Sequence, residues 1–314
     1  MADCMRHLGW KPCPADPDLW YKLETRPEDN FEYYGYVLLW IDDVLAIHHN
    51  AEKVIRELDH YFPMKKGSIG DPDLYLGAKL RKVTLANGVE AWGLSPSKYI
   101  QEAVRATKER VNEKRLKFPR KVHGPWPSNY NAEMDATKEL DATMANVYQS
   151  LIGILHWIVE LGRVDVITEV LTLASYLAAP REGHLEAAIH IYSYMKKKHN
   201  SRLVFDPTYP EHPRDAFQSH DWEHFYGGVE EVIPLNASPP RGKEVELTMY
   251  VDSDHAGDKR SRRSRTGYFI LLNSALIAWL SKKQPTVETA VFGLEFVALK
   301  MGWNACGGSA TSYA

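Results

Sequence analysis

Two adjacent aspartates, Asp42 and Asp43, interrupt an otherwise apolar run from Tyr36 to Ile47. Aspartate is depleted in strands, and a carboxylate buried without a partner is costly. The β-branched, aromatic and aliphatic flanks therefore predict strand, tight turn, strand, with both carboxylates at the tip. Carboxylates held on a rigid hairpin suit a divalent metal, and hard oxygen ligands favour Mg²⁺. An exposed turn without chemistry is the competing reading, because aspartate is a common turn residue.

The bulk of the chain is that of a globular protein. Its 314 residues, 44% hydrophobic with a formal net charge of −3, allow roughly two domains and ample core. Near-neutral charge excludes a wholesale polycation, so any contact with nucleic acid has to be local. Cys4, Cys13 and Cys306 show neither metal-ligand spacing nor an even count, which suits a reducing compartment. The first residues show no basic segment followed by an apolar stretch, and no run approaches the roughly 20 apolar residues of a membrane span. The expectation is a soluble intracellular protein, cytoplasmic or nuclear, without a membrane partner.

Periodicity organises the rest. Apolar residues Val54, Ile55, Leu58, Tyr61 and Phe62 predict a helix directly after the hairpin, and Leu74 to Leu80 reads as a strand. A second β-run surrounds Gly93, and Ser95 and Pro96 read as the cap and first residue of the next helix. From Asp141 the chain turns helical, with segments ending at Gly162, before Pro180 and at Lys196 to Lys198. His156, His184, His190 and His199 form no metal-binding pattern and are expected to pack or face solvent. The stretch from Asp206 to Lys243 reads as a long surface connection, and Lys108 to Lys121 as a basic linker or a backbone contact.

A second acidic site lies near the end. The strand of Val245, Leu247, Met249 and Val251 leads into Asp252, Ser253 and Asp254, then a basic cluster from Lys259 to Arg265. Two further strands about an Asn273–Ser274 turn and a helix from about Val287 to Met301 complete a β, β, β, α order, with Glu295 inside the helix. That order fits a ribonuclease H type fold, in which converging carboxylates hold two metals about 4 Å apart. The basic cluster is either a solvated loop or a grip on phosphates. The tail from Cys306 to Ala314 is small and polar and is expected to be disordered.

These phrases carry a resemblance. WIDDVLA resembles the YxDD hairpin of reverse transcriptases, and GWKPCPADPDLWYK, YLGAKL and LSPSKYI resemble the copia-type retrotransposon polymerases around it. Downstream, VDSDHAGD, RRSRTGY, AWLSKKQPT and LEFVAL resemble the copia-type ribonuclease H. The resemblance implies an α+β protein in three parts: residues 1–115 from the back of the polymerase, 116–240 a helical connection and linker, and 241–314 the front of a ribonuclease H. It implies that Asp42, Asp43, Asp252 and Glu295 are catalytic, Mg²⁺-binding carboxylates, with Mn²⁺ as a substitute. It implies that Trp40, Tyr75, Leu76 and Gly77 contact primer, Tyr75 to Gly77 lying in the primer grip, while Arg260, Arg262 and Arg263 contact nucleic acid. The implied partners are RNA template, DNA primer, RNA–DNA hybrid and other fragments of the parent polyprotein.

The chain also departs from the family. Trp40 replaces the tyrosine of YxDD, and Phe292 and Gly293 replace a polar pair before Glu295. An upstream polymerase aspartate and a downstream nuclease aspartate have no counterpart in the sequence. The expectation is a piece of a retrotransposon polymerase and nuclease, bound to Mg²⁺ only where the missing carboxylates are supplied and inactive alone. A non-enzymatic nucleic-acid-binding remnant is the alternative.

Overall fold

Alternation along the first hairpins sets one antiparallel sheet, and the helical stretches form a separate packed core. The computed structural model describes residues 1–14, 16–41, 43–114, 116–211, 223–228 and 238–313, without the side chains of 223, 226 and 307–313. Asp42 and Arg115 lie outside the described residues. The chain is α+β and divides into two compact units, Met1–Asp71 with Thr208–Leu247 and Cys306–Ala314, and Pro72–Pro207 with Thr248–Ala305.

The first unit begins with the short helix α1 (Ala2–His7). Four strands follow, β1 (Lys11–Pro12), β2 (Leu19–Arg26), β3 (Phe31–Trp40) and β4 (Asp43–Ile47), and then helix α2 (Ala51–Tyr61). The strands pair antiparallel in sequence order. Asn50 caps α2 by accepting the Lys53 amide at 3.1 Å. Val54 and Leu58 of α2 join Met5, Trp10, Trp20 and Val37 in one buried cluster, so the apolar face of α2 is spent on the sheet.

The second unit starts with strands β5 (Leu74–Tyr75), β6 (Ala78–Thr84) and β7 (Glu90–Ser95), followed by helices α3 (Ser97–Glu113), α4 (Ala142–Glu160), α5 (Ile167–Ala174) and α6 (Glu182–Lys197). Strand β8 (Leu203–Phe205) returns to pair with β7, giving the order β5-β6-β7-β8. The expected continuous strand from Leu74 to Leu80 is instead a hairpin: Tyr75 pairs with Ala78, and Leu76 and Gly77 form the turn with φ of 51° and 83°. Positive φ at both central residues matches the strand twist of a type I′ turn, and glycine supplies it without steric cost. Helix α3 begins one residue later than expected, because Ser95 stays in β7, where its hydroxyl donates to the Ser201 carbonyl at 3.2 Å. Asp141 caps α4 through the Met144 amide at 2.8 Å. Helices α3 to α6 bury one core around Tyr148, Leu155, Ile158, Ile191 and Tyr192. His184 and His190 serve packing, their Nε2 atoms lying 3.0 Å and 3.1 Å from the Ala132 and Gly124 carbonyls.

A short helix, α7 (Glu223–Tyr226), precedes β9 (Leu247–Ser253), β10 (Arg265–Leu272) and β11 (Ala275–Lys283), a three-stranded sheet ordered β11-β10-β9. Helix α8 (Val291–Tyr313) follows. The tail expected to be disordered continues this helix, because extending a nucleated helix adds a hydrogen bond for each residue fixed. This sheet meets α5 directly. Thr168 and Ser281 hydroxyls lie 3.1 Å apart, and Arg265 Nη2 donates to Thr172 Oγ1 at 2.9 Å.

Candidate nucleic-acid interface and carboxylate sites

The β3–β4 hairpin carries the aspartate motif. Trp40 pairs with Asp43 across the hairpin. Ile41 has φ of 51° and is 88% exposed, a left-handed conformation that is strained for a β-branched side chain. Asp43 is exposed at the start of β4, and Trp40 is 42% exposed beside it. Asp42 lies outside the described residues. Tyr75, Leu76 and Gly77 occupy the β5–β6 turn of the second unit, where a Cβ on Gly77 would lie 3.3 Å from Tyr99 Cδ2.

The second set of carboxylates is split between faces. A Cβ on Gly302 of α8 would lie 2.6 Å from Met249 Sδ and 3.6 Å from Val251 Cγ2, so β9 turns Met249 and Val251 toward α8. Side chains alternate along a strand, which turns Tyr250 and Asp252 to the opposite, exposed face. Glu295 is half-buried on α8, between the buried Leu294 and Ala298. Asp254 is committed to its own loop: Oδ1 accepts the Arg265 amide at 2.6 Å, and Oδ2 would lie 1.9 Å from a Cβ on Gly257.

Two dications close together need several convergent carboxylates. Among the described residues, no three His, Cys, Asp or Glu side chains are grouped to hold a metal ion. The described carboxylates therefore do not fit a two-metal centre, and no catalytic step follows from them.

The basic cluster is better built. The β9–β10 connection is a closed loop. Asp254 N–H donates to the Arg265 carbonyl at 3.1 Å, Ala256 N–H to Ser264 Oγ at 3.0 Å, and Asp258 N–H to the Arg263 carbonyl at 3.2 Å. Asp258 organises its tip, accepting the Ser261 amide at 2.6 Å and the Arg260 amide at 3.1 Å, and pairing with Lys283 of β11. Burial works against ionisation of Asp258, but the hydrogen bonds from Lys283 and Ser261 outweigh it and hold the carboxyl down to about 2. Arg262 takes φ of 57°, and Lys259, Arg260, Arg262 and Arg263 are exposed. The guanidinium groups of Arg260, Arg262 and Arg263 have no ion-pair partner among the described residues, whereas Arg265 is turned inward onto Ser281 and Thr172. Among the described residues, these three exposed guanidinium groups on an ordered loop form a local basic patch on a chain of near-neutral charge.

Beside this loop lies a cleft of about 330 Å³ lined by Trp126, Tyr130, Tyr176, Glu169 and Arg263. Burial pushes the Tyr176 hydroxyl up to about 12 and also raises Glu169. The roles of Asp258 and Lys283 escape a reading of the sequence, although an aspartate three residues before Ser261 is a turn signal.

No family model matches the chain, and no solved structure matches it. It is similar to the Retrovirus-related Pol polyprotein from transposon TNT 1-94 of Nicotiana tabacum, 26% identical over 291 residues, which are 90% of this chain and 18% of that protein. It is also similar to an uncharacterized mitochondrial protein of Arabidopsis thaliana, 22% identical over 86% of this chain and 94% of that protein. A putative transposon Ty5-1 protein of Saccharomyces cerevisiae is 24% identical over 79% of this chain and 66% of its own length. The chain thus spans under a fifth of the polyprotein it matches and most of the shorter relatives. Among the described residues no helix is long and apolar enough to cross a membrane. These similarities support a retrotransposon-derived chain that corresponds to part of a Pol polyprotein.

Proposed function

We propose that the chain corresponds to the reverse transcriptase and ribonuclease H region of a copia-type polyprotein, and that by itself it binds nucleic acid without turning it over. In this reading residues 1–115, 116–240 and 241–314 are the polymerase, connecting and nuclease portions. Asp42, Asp43, Asp252 and Glu295 descend from Mg²⁺-binding carboxylates of the parent enzyme. Trp40 and Tyr75 to Gly77 descend from its primer contacts.

The observation that carries the reading is the hairpin register. Trp40 stands opposite Asp43 in a hairpin of apolar strands, in keeping with the motif whose family use is nucleotidyl transfer. Inactivity rests on the carboxylate geometry, with Asp252 and α8 on different faces of β9 and no group of three ligands among the described residues. Purified chain, Mg²⁺ and a primed RNA template should give no primer extension, and a labelled RNA–DNA hybrid should stay intact. Efficient extension or hydrolysis would refute inactivity.

Binding is favoured by the exposed Arg260, Arg262 and Arg263, which have no ion-pair partner among the described residues. Affinity for an RNA–DNA hybrid should fall with salt, and replacing Arg260, Arg262 and Arg263 by glutamine should reduce the slope of log K against log salt by about 2 to 3. An unchanged slope would remove the loop from the interface.

A further inference from the structure

Helix α8 presents two faces of different fate. Leu294, Ala298 and Gly302 are buried. On the other side Phe292, Phe296, Leu299 and Trp303 are 80%, 58%, 48% and 71% exposed, and the Phe292 and Phe296 rings stack with centroids 6.3 Å apart. Large exposed apolar patches mark association surfaces rather than ordinary solvent-facing helix.

The spacing says what kind of surface this is. Residues 292, 296, 299 and 303 are separated by four, three and four positions, which is the d, a, d, a register of a heptad seam. The same phase puts Cys306 at the next d position, and places Glu295 at g and Lys300 at e, the positions that flank a seam. In a parallel pair of helices, each g residue faces the e residue five positions further along its partner. Glu295 and Lys300 are five positions apart and opposite in charge, so two copies of this helix in parallel form both ion pairs by symmetry. The face is complementary to itself.

We infer that α8 is the seam of a parallel homodimer, with Phe292, Phe296, Leu299 and Trp303 in the core and Glu295 paired to Lys300 of the second copy. The occupant of the face is the same helix, so the contact closes on a two-fold axis.

Sedimentation of the full chain across the micromolar range tests this. A concentration-dependent monomer–dimer equilibrium is expected, lost in Phe296→Glu with far-UV circular dichroism unchanged. Lys300→Glu should weaken the dimer about fivefold, since two exposed ion pairs become like-charge contacts. The double variant Glu295→Lys with Lys300→Glu should restore it. Mild oxidation should yield a disulfide-linked dimer through Cys306 that Cys306→Ser abolishes, because d positions meet across a parallel seam. A chain monomeric throughout, a charge reversal that fails to rescue, or binding to lipid vesicles in place of dimerisation would overturn the inference. If Phe296→Glu unfolds the chain, the charge reversal and the cross-link still decide it.

Discussion

Trp40 stands directly opposite Asp43 across the β3–β4 hairpin. Ile41 is left with φ of 51° and its side chain in solvent. At 88% exposed, its side chain buries little surface to offset the steric cost of that conformation. Ile41→Gly should therefore raise the unfolding free energy by about 0.5 to 1 kcal/mol, the relief of left-handed strain exceeding the added entropy of the unfolded chain. Urea titration would check the sign, and a loss of stability would mean the side chain is needed.

Gly77 meets the opposite constraint. Its φ is 83°, and an added Cβ would lie 3.3 Å from Tyr99 Cδ2. Gly77→Ala should destabilise the chain by about 1 to 2 kcal/mol through the turn conformation. The measurement is thermal or urea unfolding, with Gly88→Ala as the control: Gly88 has φ of 82° but nothing within 4 Å of its Cβ position. The difference between the two variants reports the Tyr99 contact.

Gly183, in the first turn of α6, tests propensity against packing. Alanine is ordinarily better in a helix by about 1 kcal/mol. Here its Cβ would lie 2.1 Å from Asp135 Oδ2. That carboxylate is held by the Tyr130 hydroxyl at 2.5 Å and the Thr137 hydroxyl at 2.6 Å, so it cannot swing aside freely. Gly183→Ala should cost about 2 kcal/mol net. A stabilised variant would show that the Asp135 network is soft.

Asp258 gives the basic loop a pH signature. Its folded pKa is depressed from the ordinary 3.8 to about 2, so its contribution is fully present above pH 4 and is lost as pH falls through about 2. Asp258→Asn should destabilise the chain by about 1 kcal/mol at neutral pH, the pair with Lys283 being partly screened. The gap between parent and variant should close between pH 4 and 2. Unfolding free energies across that range, with hydrogen exchange at Ser261, would show it.

The sequence made some of this legible and not the rest. The run from Tyr36 to Ile47 announces its hairpin because both flanks are apolar and β-prone, and the turn is where aspartate belongs. Helices α2, α4, α5 and α6 follow from apolar stripes, and α4 from its Asp141 cap. The β5–β6 hairpin was hidden because Leu76 at positive φ is not signalled by residue type, leaving YLGAKL to look like one strand. The tie between Asp258 and Lys283 depends on β11 folding back beside the loop, which no local window contains. Alternation predicts that Met249 and Val251 share a face, but only the position of Gly302 shows that α8 covers that face and leaves Asp252 on the other.

Strand β8 finishes its sheet from far away in the chain: Phe205 pairs with Trp92 and Leu203 with Leu94, with α3 to α6 lying between them. On a ribosome, β7 therefore emerges with one row of backbone amides and carbonyls unclaimed until the four helices and strand β8 have been made. Pairings of such long sequence separation form late, and an open strand edge invites other chains during the wait. A transcript truncated within α6 would leave that edge open for good, and its product should aggregate where the full chain does not.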